Sequence, residues 1–138
     1  MNSLLQLDEQ PENVLKDVFK KTGTAVVQLD TIDDYCARNR VKQIDILKSD
    51  TQGYDLNVLK GAAKMLKQHQ IKTIVLEVNF IPMYKGQPSF QELHEYLSSM
   101  EYRLVDFYNQ EQPNGYTAWC DACYVVADIA AESPGIRQ

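Results

Sequence analysis

Apolar residues along this chain alternate between two spacings, short runs of strand type and longer stretches that return every three or four positions. Ile44, Ile46 and Leu47 form an apolar run that ends on the acidic Asp50. A polar turn holding Gly53 then passes into helical spacing at Leu56, Leu59, Ala62, Ala63 and Leu66. This pattern predicts a strand over Ile44–Ser49 and the longest helix of the chain over Tyr54–Gln68. Lys72–Val78, apolar almost throughout, predicts a strand buried on both faces, as parallel strands are. Upstream, Val14–Lys21 reads as a short amphipathic helix stopped by Thr22-Gly23, Ala25–Leu29 as a strand and Ile32–Asn39 as a helix.

Downstream, Pro82 to Pro88 bounds an irregular loop with Tyr84, Lys85, Gly86 and Gln87. Ser89 follows as a helix cap, and Glu92 three residues later completes a capping box for a helix over Phe90–Met100. Strands are predicted at Tyr102–Tyr108 and Ala118–Val126. The connection between them, Asn109–Gly115, is of hairpin type, so the last strand should run antiparallel to its neighbour. Strands and helices alternate, which places the chain in the α/β class. Its 138 residues suit one domain, over residues 1–127, with a flexible tail over 128–138 around Pro134-Gly135.

Charge and composition remove several function classes. A net charge of -5 with dispersed Lys and Arg offers no footprint for a phosphate backbone, so nucleic acid is not expected as a partner. No apolar run reaches the roughly eighteen residues that span a bilayer, and Met1 to Gln10 lacks the features of a signal peptide, so no membrane is expected and the location reads as cytoplasmic. Three cysteines do not make a disulfide framework. Cys120 and Cys123 form a CxxC pair, but residues three apart on a strand point to opposite faces. Cys36, His69 and His94 are the only soft ligands left to complete a zinc site. Buried thiols, solvated histidines and no metal are expected.

Asp50 stands at a strand tip, and in open α/β sheets ligands bind outside the carboxyl ends of the strands. An Asp there also serves as a helix cap, and sequence leaves both roles open. Glu77 lies within an apolar strand, where an ionised carboxylate is costly unless it is paired or faces a cleft. Alternation puts Glu77 and Asn79 on the same side, approaching the strand end near Asp50. The competing role is a buried pair with Lys48. Asp30, at its own strand tip, reads as a ligand contact or as a cap for the next helix. Phe80 and Tyr84 are placed to line a substrate mouth.

Three segments carry a family resemblance: Val26-Val-Gln-Leu-Asp-Thr-Ile-Asp-Asp, then Ile44-Asp-Ile-Leu-Lys-Ser-Asp-Thr-Gln-Gly-Tyr-Asp-Leu-Asn-Val-Leu-Lys-Gly-Ala, then Ile74-Val-Leu-Glu-Val. With the Tyr84-Lys-Gly-Gln-Pro-Ser-Phe loop and Trp119-Cys-Asp-Ala, the chain from about Asn2 to Val126 resembles the FkbM family of S-adenosylmethionine-dependent methyltransferases. The resemblance implies a Rossmann-like class I methyltransferase sheet with an antiparallel last strand, of which the strands present would match the third to seventh. It implies methyl transfer from S-adenosylmethionine to a hydroxyl of a small sugar or natural-product acceptor. Asp50 and Glu77 would be catalytic, Asp30 and Asp50 would face the cofactor, and Gln52, Asn79 and Tyr84 the acceptor. Gln52 stands where the family usually has Glu.

The six glycines are scattered and form no GxG, so the turn that brings backbone up to a nucleotide is missing from the chain. The chain therefore reads as the carboxyl-terminal part of such a domain. Either a missing amino-terminal half or a second copy would complete it, through an exposed strand edge at Ala25–Leu29 or Ile44–Ser49. The alternative from another class is a non-catalytic remnant or assembly module that binds a partner by that edge. A receiver-like signalling domain with Asp50 as phosphoacceptor is a third reading. It lacks the acidic pair after the first strand and the Lys after the fifth.

Overall fold

A computed structural model describes residues 3–7, 23–113 and 115–127. Its centre is a strand, β2 (Ile71–Asn79), on which Ile74, Leu76 and Val78 are fully buried while Thr73, Val75 and Glu77 are half-buried. We number the others in chain order as α1 (Ile32–Asn39), β1 (Ile44–Ser49), α2 (Asp55–Lys60), α3 (Ala63–Lys67), α4 (Phe90–Ser99), β3 (Tyr102–Glu111) and β4 (Trp119–Val126). β1 lies parallel to β2, with Leu47 opposite Ile74 and Ser49 opposite Leu76. β4 lies antiparallel to β2 on its other side, with Glu77 opposite Asp121 and Asn79 opposite Trp119. β3 closes the sheet beyond β4, giving the order β1-β2-β4-β3 and a mixed α/β fold. The parallel β1–β2 pair needs a crossover, which α2 and α3 supply. β3 and β4 form the expected antiparallel hairpin.

One face of the sheet carries the core, in which Leu59, Leu66, Ile74, Leu76, Leu97 and Tyr124 are fully buried. The predicted capping box is present: Ser89 Oγ accepts from the Glu92 amide, and Glu92 accepts from the Ser89 amide. The single helix predicted over Tyr54–Gln68 is instead two, because the amides of Lys64 and Met65 are taken by the Asp33 carboxylate reaching across from α1. Ala62, at the junction, has left helical geometry (φ -112°, ψ 15°).

The strand predicted over Ala25–Leu29 is absent. Val26 is fully exposed and Val27 and Leu29 more than half exposed, and no described strand pairs with this segment or with the outer edge of β1. An apolar run becomes a strand only where a neighbour takes its backbone hydrogen bonds. Four of the five expected strands are therefore found in the described residues. The predicted helix Val14–Lys21 and the tail from Asp128 lie outside the described residues.

The second face of the sheet is sparsely covered, with Ile46 67% and Val105 55% exposed. At its carboxyl end residues 3–7 cross it: Leu7 bridges Tyr84, and Leu5 and Leu7 pack with Ile81, Met83, Tyr84 and Trp119. Cys120 is buried and Cys123 half-buried on alternate faces of β4. Burial pushes the Cys120 thiol up to about 11, far from a metal-binding thiolate. His94 is less solvated than expected: it stacks on Phe90, and its Nδ1 lies 3.2 Å from the Tyr124 hydroxyl. Among the described residues no cluster of three metal-ligating side chains occurs, and no helix is long and apolar enough to cross a membrane.

Candidate functional site

The turn leaving β1 is tied shut by Asp55. Its Oδ1 accepts from Ser49 Oγ at 2.5 Å and from the Thr51 amide at 3.2 Å, and the side chain is buried. The pinned turn forces two successive residues into the left-handed region, Gln52 at φ 54° and Gly53 at φ 89°. Gly53 is required twice over, since a Cβ there would also stand 3.0 Å from Gln87 Cβ and 3.2 Å from Leu5 Cδ1. Gln52 has no such excuse, and its conformation costs about 1–2 kcal/mol. What holds it is a set of contacts on every polar atom of its side chain.

The Tyr84 hydroxyl donates to Gln52 Oε1 at 2.8 Å, so the amide nitrogen must face the other way. Nε2 then donates to Asp50 Oδ1 at 2.7 Å and approaches Glu77 Oε1 at 3.3 Å. Ser3 Oγ adds a bond to the Gln52 carbonyl at 2.7 Å. Tyr84 is aimed by Gln87, whose Oε1 accepts from the Met83 and Tyr84 amides and whose Nε2 donates to the Ile81 carbonyl. The result is two carboxylates, one from the turn that leaves β1 and one from β2, meeting on one neutral amide.

Burial raises the Glu77 carboxyl, and the neighbouring Asp50 charge raises it further, to about 7; a hydrogen bond from Asn79 works against them, with Asp55 and Asp121 adding smaller repulsions. Near neutrality this group takes up and releases a proton, as a general base must. Burial, with Glu77 and Asp50 nearby, also pushes the Tyr84 phenol up, so it stays a donor. Asn79 is 7% exposed, and its Oδ1 has no partner among the described residues. Lys48 does not pair with Glu77, as one sequence reading had it. It reaches over β2 to Asp121 at 3.3 Å.

Five of the six sequence-derived site residues thus come together: Asp50, Gln52, Glu77, Asn79 and Tyr84. Asp30 stands elsewhere, ion-paired with Arg38 and accepting from the Thr31 amide, while Thr31 itself caps α1. It borders an apolar groove of about 380 Å³ between α1 and β1, lined by Tyr35, Cys36, Val41, Ile44 and Leu47, on the sheet edge and not at the carboxylates. Asp50 is not the helix cap that sequence allowed: the N-cap of α2 is Tyr54, which makes no side-chain capping bond. Phe80 turns away from the cluster to Phe90 and Phe107. Sequence did not reveal Gln87, Ser3, Ser49 or Asp55 as the residues that hold the turn. Only the position of Gln87, between Gly86 and Pro88 in a tight loop, offered a signal.

No curated protein and no solved structure matches the chain. The sequence profile of the methyltransferase FkbM domain matches residues 4–104, a span that includes all five clustered residues. The chain belongs to the FkbM methyltransferase domain family.

Proposed function

We propose that this chain carries the acceptor side of an S-adenosylmethionine-dependent O-methyltransferase site that acts on a hydroxyl of a sugar or natural product, within the carboxyl-terminal half of a Rossmann-like class I sheet. The observation that carries the reading is the meeting of Asp50 and Glu77 on the Gln52 amide at the carboxyl end of β1 and β2, in a chain of this family. When bound, the donor supplies an electrophilic methyl group on a sulfonium, whose transfer to oxygen leaves a neutral thioether. The residues present suit that cationic end, with two carboxylates and an orphaned Asn79 oxygen. No Gly-rich turn among the described residues suits its nucleoside end, so no residue is assigned there.

In this reading Glu77 takes the acceptor's hydroxyl proton on its carboxylate as the oxygen forms its new bond to carbon. Asp50 stays ionised and orients the acceptor. Gln52 fixes the spacing of the two carboxylates, and Tyr84 fixes which end of the amide they see. Displacement of this kind depends above all on orientation, which a rigid hydrogen-bonded cluster supplies. Isothermal titration with S-adenosylhomocysteine tests the reading: saturable heat supports it, and no heat at millimolar ligand overturns it for this chain.

A second reading has its own observation. The outer edge of β1 and the segment Ala25–Leu29 have no strand partner among the described residues. That favours a module which pairs β1 with the same strand of a second copy.

A further inference from the structure

Burial alternates along residues 3–7: Ser3, Leu5 and Leu7 are half-buried, while Leu4 and Gln6 are exposed. One end of this segment closes on the main chain of Gln52. The Leu5 amide donates to Ser3 Oγ at 3.0 Å, which leaves the Ser3 hydroxyl hydrogen to the Gln52 carbonyl at 2.7 Å, and Leu5 sits over Gly53. The other end closes on the loop that carries Tyr84. There the Lys85 amide donates to the Gln6 carbonyl at 2.8 Å, Leu7 bridges Tyr84, and Leu5 and Leu7 pack with Ile81, Met83 and Tyr84. Because the Tyr84 hydroxyl donates to Gln52 Oε1, residues 3–7 grip Gln52 twice, directly at its backbone and through Tyr84 at its side chain.

A left-handed glutamine is unfavourable in itself, and so are two carboxylates held close together. Asp55 ties Ser49 and Thr51 but stops one residue short of Gln52. We propose that Ser3 and Leu7 are positioning residues: docked together as a strap, they keep Gln52 between Asp50 and Glu77 and so hold the two carboxylates at the spacing the proposed base needs. The consequence for turnover rests on the methyltransferase reading above, and the positioning itself does not. The charged and titratable groups around Glu77 are Asp50 from the turn, Asp55 from α2, Asp121 from β4 with Lys48 turned to it, and Tyr84 from the loop. The strap bears on Asp50 through Gln52, and on Tyr84 directly. With the strap released, Gln52 leaves the left-handed region, Asp50 parts from Glu77 and water reaches both, so the Glu77 carboxyl returns toward an ordinary carboxylic acid.

NMR of the full chain tests this, with the titration midpoint of the Glu77 carboxyl carbon as the deciding readout. Ser3→Ala and Leu7→Ser should each lower that midpoint from about 7 by roughly a unit, and move the Gln52 side-chain amide signals toward those of free glutamine. Ser3→Thr, which keeps the hydroxyl, should restore both. Tyr102→Phe removes a hydrogen bond to the Ile71 carbonyl at the opposite end of β2 and should leave the midpoint unchanged. If Leu7→Ser does not fold, as circular dichroism would show, Ser3→Ala and Ser3→Thr decide alone. A midpoint that stays at about 7 in the strap variants, or that falls as far in Tyr102→Phe, overturns the strap. A fall in one folded strap variant but not the other means that the two ends act apart, and overturns it as well. An unmoved midpoint in a chain that binds S-adenosylhomocysteine refutes the strap and leaves the methyltransferase reading standing. The expected fall in a chain that does not bind it supports the strap and overturns that reading.

Discussion

Glu77 is the residue whose two protonation states pull in opposite directions. Its folded pKa is raised from 4.5 to about 7, so the protonated form favours folding and the ionised form opposes it. The stability this group contributes is complete below pH 4.5 and is lost as the pH rises through about 7. Glu77→Gln should therefore stabilise the fold at pH 8 and not at pH 4, by ~1 kcal/mol once solvent screening of a half-buried group is allowed for. Urea denaturation at the two pH values measures it, and an equal effect at both would contradict the assignment. In turnover the sign reverses: a base works when ionised, so kcat/KM should climb through about pH 7 in wild type. Tyr84→Phe removes the donor to buried Gln52 Oε1 and should cost ~1–3 kcal/mol. The freed amide could then flip and present its oxygen to the carboxylates. NMR of the Gln52 side-chain amide separates that flip from a general loss of stability.

Among the elements, those built on local signals were legible and those built on remote partners were not. α4 announced itself as Ser89 followed by Glu92, because both halves of a capping box sit within one turn. Ser89→Ala should accordingly cost ~1 kcal/mol by thermal or urea unfolding, and a silent substitution would mean that packing of Leu93 and Leu97 alone holds the helix start. The break between α2 and α3 gave no warning, since the Asp33 carboxylate lies 31 and 32 residues upstream of the two α3 amides it takes. Ala25–Leu29 has the composition of a strand, yet composition does not provide the neighbour. The site divides in the same way. Alternation along β2 was enough to bring Glu77 and Asn79 to the strand end beside Asp50. The Gln52 bridge depends on a left-handed backbone set by Asp55 and on a tyrosine aimed by Gln87, neither of which periodicity records.

On the scale of the whole molecule, the sheet has one well-packed face and one that is thinly covered. It also ends at a β1 edge that no described strand pairs. Ile46 belongs to both features, on the open face of the edge strand and 67% exposed, and the α1–β1 groove adds apolar surface beside it. Edges of this kind recruit strands, and the β1 segment carries only Asp45 and Lys48 as charges against that. The chain should therefore self-associate as concentration rises, with apparent mass by size-exclusion chromatography moving from one copy toward two. Ile46→Lys puts a charge on the exposed face of the edge at little cost to the fold, because the side chain makes few buried contacts to lose. It should hold the chain monomeric while leaving the Gln52 and Asn79 side-chain amide signals where they are. A wild-type chain that stays monomeric at high concentration would remove self-pairing through β1, and with it the second reading, while the carboxylate cluster at the other end of the strand would be untouched.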